Sequence, residues 1–232
     1  MKKAILVLGI ARSGTSALSG TLSHLGIPFG DNLKPIDRQN KKGNFEHCTL
    51  SWAHQRILKS LNSSWSDHNP LPEGWTKKEK VLLESEIIKD ILKTDFKPYP
   101  VFGIKDPRLV PLYPLYLDIL KDLNIKPIII AITREKNEVL ESIQDSGYFQ
   151  GSYSPELGER LYHHYMNCID EALHDQQGLK LNYHDLLYST SSIFKKLLQF
   201  LPQDVTEIIK HHKTTSPPFL DTSLHHFQTP KI

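Results

Sequence analysis

Gly9-Ile10-Ala11-Arg12-Ser13-Gly14-Thr15-Ser16 is the stretch on which the fold turns. Ahead of it runs Ala4-Ile5-Leu6-Val7-Leu8, a continuous apolar run of strand length. Behind it, residues 17–26 place leucines at 18, 22 and 25 and close on Gly26, the spacing and stop signal of a helix. Strand, glycine-bounded loop and helix together make a phosphate cradle, in which loop N–H groups and the positive helix end converge on an anion. Gly9 and Gly14 stand at the spacing of the nucleotide P-loop pattern G-x-x-x-x-G-K-[ST], with Ser16 at its hydroxyl position. Thr15 occupies the lysine position, and a cation, Arg12, lies inside the loop instead. A nucleotide triphosphatase uses that lysine at the β/γ-phosphates, so an anion of another shape is expected here. The plain alternative is a strand-to-helix turn that happens to hold two glycines.

The rest of the chain fits one α/β domain spanning 1–232, built on a parallel sheet of about four or five strands in a three-layer, P-loop-type sandwich. The formal net charge of +2 leaves no basic footprint for nucleic acid. Two cysteines, Cys48 and Cys168, are too few for a disulfide framework and suit a reducing cytoplasm. No apolar stretch reaches transmembrane length.

Residues 27–46, rich in Pro, Gly, Asn and charge, read as a long surface loop. Residues 47–61 and 76–93 have helical periodicity, the second with Val81, Leu82, Ile87, Ile88 and Ile91 facing inward. Between them lies a loop carrying Trp65 and Trp75, which either stack on an acceptor or close the core. Val101 to Ile104 reads as a short buried strand whose end carries Lys105-Asp106-Pro107-Arg108. Ligands of open α/β sheets bind beyond such strand ends; the alternative is a structural ion-pair cluster opening the next helix, about 111–123. Residues 126–134 form the clearest strand, apolar on both faces as a central parallel strand is. It ends at Arg134, and the following helix carries Glu138 and Ser142. An arginine fork gives two charge-assisted bonds to a phosphate, and a serine two turns on can add a hydroxyl. A loop at 147–155, a helix near 156–175, a strand at 179–181, Tyr183 and a helix at 189–201 complete the pattern. The paired histidines of the tail do not have metal-ligand spacing.

Four of these segments carry a resemblance. Gly9 to Ser16 resembles the 5′-phosphosulfate loop of sulfotransferases that use 3′-phosphoadenosine 5′-phosphosulfate (PAPS), a P-loop without the lysine. Asn40 to Glu46 resembles the N-x-K-G-[YF]-x-E segment of bacterial members, although here Asn44 precedes the aromatic and Phe45 adjoins the glutamate. Lys105 to Arg108 resembles a segment at the same place in their chain order, and Arg134 with Ser142 resembles their 3′-phosphate site. The Tyr183-His184-Asp185-Leu186 segment departs from the family's Tyr-Glu-Asp-Leu by its histidine, and residues 219–226 resemble a family ending near the active site.

The resemblance implies sulfuryl transfer from PAPS, leaving 3′,5′-bisphosphoadenosine (PAP), to a hydroxyl or an amine of a carbohydrate, glycolipid or small-molecule acceptor. It implies that Arg12 and the N–H groups of Ser13, Gly14, Thr15, Ser16 and Ala17 hold the 5′-phosphosulfate, and that Arg134 and Ser142 read the 3′-phosphate. Tyr183 is then set against the adenine, or is a core tyrosine. Glu46 is the first candidate for general base, or an ordinary carboxylate at a helix N-terminus; Asp106 is the reserve, and Lys105 steadies the transferred group. No metal is required. The rival readings are a P-loop kinase using Mg·ATP, with Asp106 at a strand end, and a nucleotide-binding protein without catalysis.

Overall fold

The structure, a computed structural model, describes residues 1–37, 40–147 and 153–213. Residues 148–152 of the expected 147–155 loop and the ending at 219–226 lie outside the described residues.

The chain is α/β. Its strands are β1 (Lys2–Leu8), β2 (Val101–Lys105), β3 (Ile125–Thr133) and β4 (Leu179–Asn182). They form one all-parallel sheet in the order β2-β1-β3-β4. Helix α1 (Thr15–His24) follows β1, and α2 (Cys48–Ser60) and α3 (Glu79–Thr94) precede β2. Then come α4 (Leu109–Asp122), α5 (Lys136–Asp145) and α6 (Pro155–Gln176), and after β4, α7 (Tyr183–Tyr188), α8 (Thr190–Phe200) and α9 (Gln203–Lys213).

Strand alternation explains the layers. Ala4, Leu6, Leu8, Phe102, Ile104, Ile129 and Ala131 face one core with α2, α3, α4, α5 and α6. Ile5, Val7, Val101, Ile128, Ile130 and Ile132 face the other, with α1, α7, α8 and α9. Successive side chains of a strand point to opposite faces, so an apolar run without polar alternation is what a sheet covered on both sides requires. Among the described residues no helix is long and apolar enough to cross a membrane.

Three elements depart from expectation. In α3 only Val81, Ile88 and Ile91 of the five residues expected inward are buried; Leu82 and Ile87 are 50% and 40% exposed, and Ser85 takes the inward position. The 27–46 segment is not simply a surface loop. Ile27, Phe29, Asn44 and Glu46 are buried, and the segment closes on itself through the Leu33–His47 bridge. The Gly103 N–H also donates to the Pro28 carbonyl at 2.8 Å, tying the segment to β2. Finally, α9 continues past the last expected helix, burying Val205 and Ile209. Trp65 and Trp75 pack against the first core.

Gly103 is where the loop and the sheet meet most closely. A Cβ there would overlap the buried Phe29 ring. Gly103→Ala is therefore expected to cost about 1–3 kcal/mol through overpacking, read as a lower urea midpoint with an unchanged slope.

Candidate active site

All the expected site residues but Tyr183 come from the carboxyl end of β2 (Lys105), from loops or helices that follow β1, β2 and β3, or from the 27–46 segment; Tyr183 follows β4. Val7 pairs with Lys105 and Leu8 with Ala131, so the Gly9–Gly14 loop emerges between the ends of β2 and β3. The connection from β1 runs to one side and that from β2 to the other, making this the switch point where α/β sheets bind ligands.

The loop is built for close approach. Gly14 has φ 100° and Arg12 φ 71°, both left-handed; for arginine that conformation is strained and needs holding. It is held: Arg12 Nε donates to Ser142 Oγ on α5 at 2.8 Å, and its carbonyl accepts from Arg134 Nη1 at 3.4 Å. The first helical bond of α1 is Leu18 N–H to the Gly14 carbonyl at 3.0 Å, and no side chain caps the helix. The amides of Gly14, Thr15, Ser16 and Ala17 thus lie outside the helical ladder, as at any uncapped helix start. Ser13 Oγ is fully buried with no hydrogen-bond partner among the described residues, and it faces the Cα of Gly9. A buried hydroxyl without a partner is uncommon enough to need a reason. A Cβ on Gly9 would come within 2.6 Å of that hydroxyl and of Thr15 Cγ2, so the loop has room for glycine only.

Arg134, just past β3, is 6% exposed. Its Nε donates to Glu138 Oε2 at 2.6 Å, and His184 Nε2 lies 3.0 Å from both oxygens of the same carboxylate. Burial would raise the Glu138 carboxyl, but the bonds from Arg134 and His184 outweigh it and hold it below its ordinary value. The Arg134 guanidinium sits 5.0 Å from the centre of the Tyr183 ring, a cation–π distance. The other part of that ring covers Gly14, where a Cβ would overlap it. Arg12, Gly14, Arg134, Ser142 and Tyr183, spread over 172 positions of sequence, are one cluster.

A second cluster stands at the end of β2. Glu46 Oε1 accepts from Lys105 at 2.7 Å and Oε2 from Lys34 at 2.6 Å. Lys105 is 4% exposed and Glu46 7%. Asp106, 2% exposed, accepts from Ser51 Oγ, from Arg108 Nη1 at 2.8 Å and from the Arg108 N–H at 2.9 Å, and His54 Nδ1 lies 3.2 Å away. Burial alone would raise this carboxyl; the His54 contact, the Arg108 charge and the Ser51 hydroxyl together hold it well below the usual carboxylate range. His54 is fully buried, with Nε2 2.6 Å from the Tyr116 hydroxyl. Burial, and then the charge of Asp106, push that phenol well above its ordinary value. It therefore keeps its proton, and the His54–Tyr116 contact ties α2 to α4 beside Asp106.

Sequence reasoning missed Ser51, His54 and Tyr116 around Asp106, Lys34 on Glu46, and the clamping of Arg134 by Glu138 and His184. The i, i+3 placing of Ser51 and His54 on one face of α2 is the signal that was available. Comparison with protein-family models and with curated proteins gives no match to the chain.

Proposed function

We propose that the chain is a PAPS-dependent sulfotransferase acting on a hydroxyl, or an amine, of a carbohydrate, glycolipid or small-molecule acceptor. The observation that carries this reading is the meeting of Arg12, Ser142, Arg134 and Tyr183 around an uncapped helix start. The residues suit a bisphosphate donor on the structure's own terms: two guanidinium groups, the open amides of an uncapped helix start and a buried Ser13 hydroxyl without a partner among the described residues. Thr15, at the position of the P-loop lysine, is 5% exposed with its methyl against Gly9.

When bound, PAPS supplies a sulfuryl group: the acceptor oxygen forms a bond to sulfur, and the bond from sulfur to the 5′-phosphate oxygen breaks, its electron pair leaving with PAP. Arg12 and the amides of residues 14–17 stabilise the charge that grows on the leaving oxygen, a preorganised effect that usually dominates such sites; the Ser13 N–H, also expected there, donates instead to the Ile10 carbonyl at 3.2 Å. Lys105 turns from Glu46 to the transferring group, and Glu46 Oε1 then takes the acceptor's proton. Asp106, enclosed and supplied with donors on every side, positions Arg108 and the start of α4. Arg134 and Ser142 read the 3′-phosphate, Arg134 being aimed by Glu138. Tyr183, which packs on the Arg134 guanidinium and on Gly14, would lie against the adenine. Both cysteines are free thiols, consistent with a cytoplasmic setting.

Calorimetric titration tests the donor. PAP is expected to bind in the presence of a chelator and more tightly than Mg·ATP. A preference for Mg·ATP that is lost with the chelator would instead make the chain a kinase.

A further inference from the structure

Arg108 is held on one side only. Its side-chain hydrogen bonds among the described residues all run through Nη1: to Ser51 Oγ at 2.9 Å, to the Ser51 carbonyl at 3.4 Å and to the two Asp106 oxygens at 3.1 and 2.8 Å. The Nε and Nη2 edge makes none, and the side chain is 18% exposed. Asp106 is itself fixed by Ser51 and His54, and His54 by Tyr116. The guanidinium is thus immobilised before any ligand arrives, with its remaining edge directed away from the network that holds it.

The surroundings favour an anion. Lys34, Lys105 and Arg108 stand against the two carboxylates Glu46 and Asp106. Beyond Asp106, Arg108 interacts electrostatically with Glu46 and Tyr165. The Tyr165 hydroxyl donates to the Trp65 carbonyl at 2.6 Å, fixing the tryptophan loop on that side. Arg108 therefore shares the end of β2 with the candidate base Glu46, and Tyr165, which holds the tryptophan loop, is within electrostatic reach of it.

We infer, deepening the sulfotransferase reading, that the Nε–Nη2 edge of Arg108 is a preset oxyanion site, taking a sulfate, carboxylate or phosphate group bidentately. A guanidinium edge matches the two oxygens of such a group, and an ammonium does not. Prior immobilisation removes the ordering cost that an exposed arginine would carry. The oxyanion is either an acid group on the acceptor or the sulfuryl group in transfer.

Inorganic sulfate is the probe, titrated into the chain saturated with PAP so that the phosphate sites are filled. Sulfate is expected to bind the wild type, and Arg108→Lys, which keeps a cation beside Asp106, to weaken it at least tenfold. Equal sulfate affinity in a folded Arg108→Lys overturns the inference. Should that variant not fold, arginine-specific modification of the wild type by phenylglyoxal, mapped by mass spectrometry, decides. Sulfate is expected to protect Arg108, and an unchanged modification rate overturns the site. Comparing PAPS with PAP separates the two sources. A tenfold loss for PAPS alone in Arg108→Lys assigns the oxyanion to the sulfuryl group, and unchanged affinity for both assigns it to the acceptor. If the wild type binds no PAP, the sulfotransferase reading falls, while the same sulfate titration on the chain alone still judges Arg108.

Discussion

Arg134→Ala is expected to lower PAP affinity by about 30-fold or more, the equivalent of the 2 kcal/mol or greater that truncating one partner of a buried, hydrogen-bonded charge pair costs. The physical reason is that the guanidinium is already oriented. Glu138 occupies its Nε, the Arg12 carbonyl lies on Nη1, and the Tyr183 ring supports its face. An anion arriving there finds a charge whose desolvation has been met by the fold. Arg134→Lys keeps the charge and loses the fork, so an intermediate loss of about tenfold follows. Mg·ATP binding, which has no 3′-phosphate to lose, is expected to change less. Unchanged PAP affinity in a folded Arg134→Ala protein would remove the 3′-phosphate assignment.

The largest effect on stability is expected at Asp106. Asp106→Ala removes the anion that Ser51, His54 and Arg108 surround, leaving buried donors and a partly buried guanidinium unpaired. Breaking a buried pair from one side costs about 3–5 kcal/mol, which in a chain of this size lowers the melting temperature by about 10 °C. Asp106→Asn keeps the shape and part of the bonding, so it should lose less. The pH dependence has a definite sign. The folded carboxyl is held below its ordinary value. Its contribution is therefore complete above the unfolded value of about 3.9 and is lost as pH falls from there toward the folded value. Asp106→Asn is expected to flatten that part of the acid-denaturation curve. An acid limb identical to wild type would show that Asp106 is not anionic in the fold.

The sheet was legible because each strand is an apolar run and the α/β order admits few arrangements. Residues 4–8 and 128–132 face only two covered sides, while Lys126 at the start of β3 is exposed. Helix α3 was less legible. Five apolar residues span more of its circumference than one buried stripe, and packing chose Val81, Ser85, Ile88 and Leu92 over Leu82 and Ile87. At the candidate site, residue types at strand ends could be named from sequence, but their partners could not. The Lys34–Glu46 contact depends on how the 27–46 segment closes, and His54–Asp106 on how α2 lies across β2. Neither path follows from periodicity. Glu138 was visible four residues after Arg134, yet a strand-to-helix turn separates them, so helical spacing did not foretell their contact.

Gly14 leaves a slot where any other residue would have a side chain, and the aromatic ring of Tyr183 fills it. A ring from the far end of the sheet thus packs directly on the backbone of the loop. The shape of the loop at this point is therefore shared between two distant residues, and a side chain at position 14 would have to evict the ring before the loop could close.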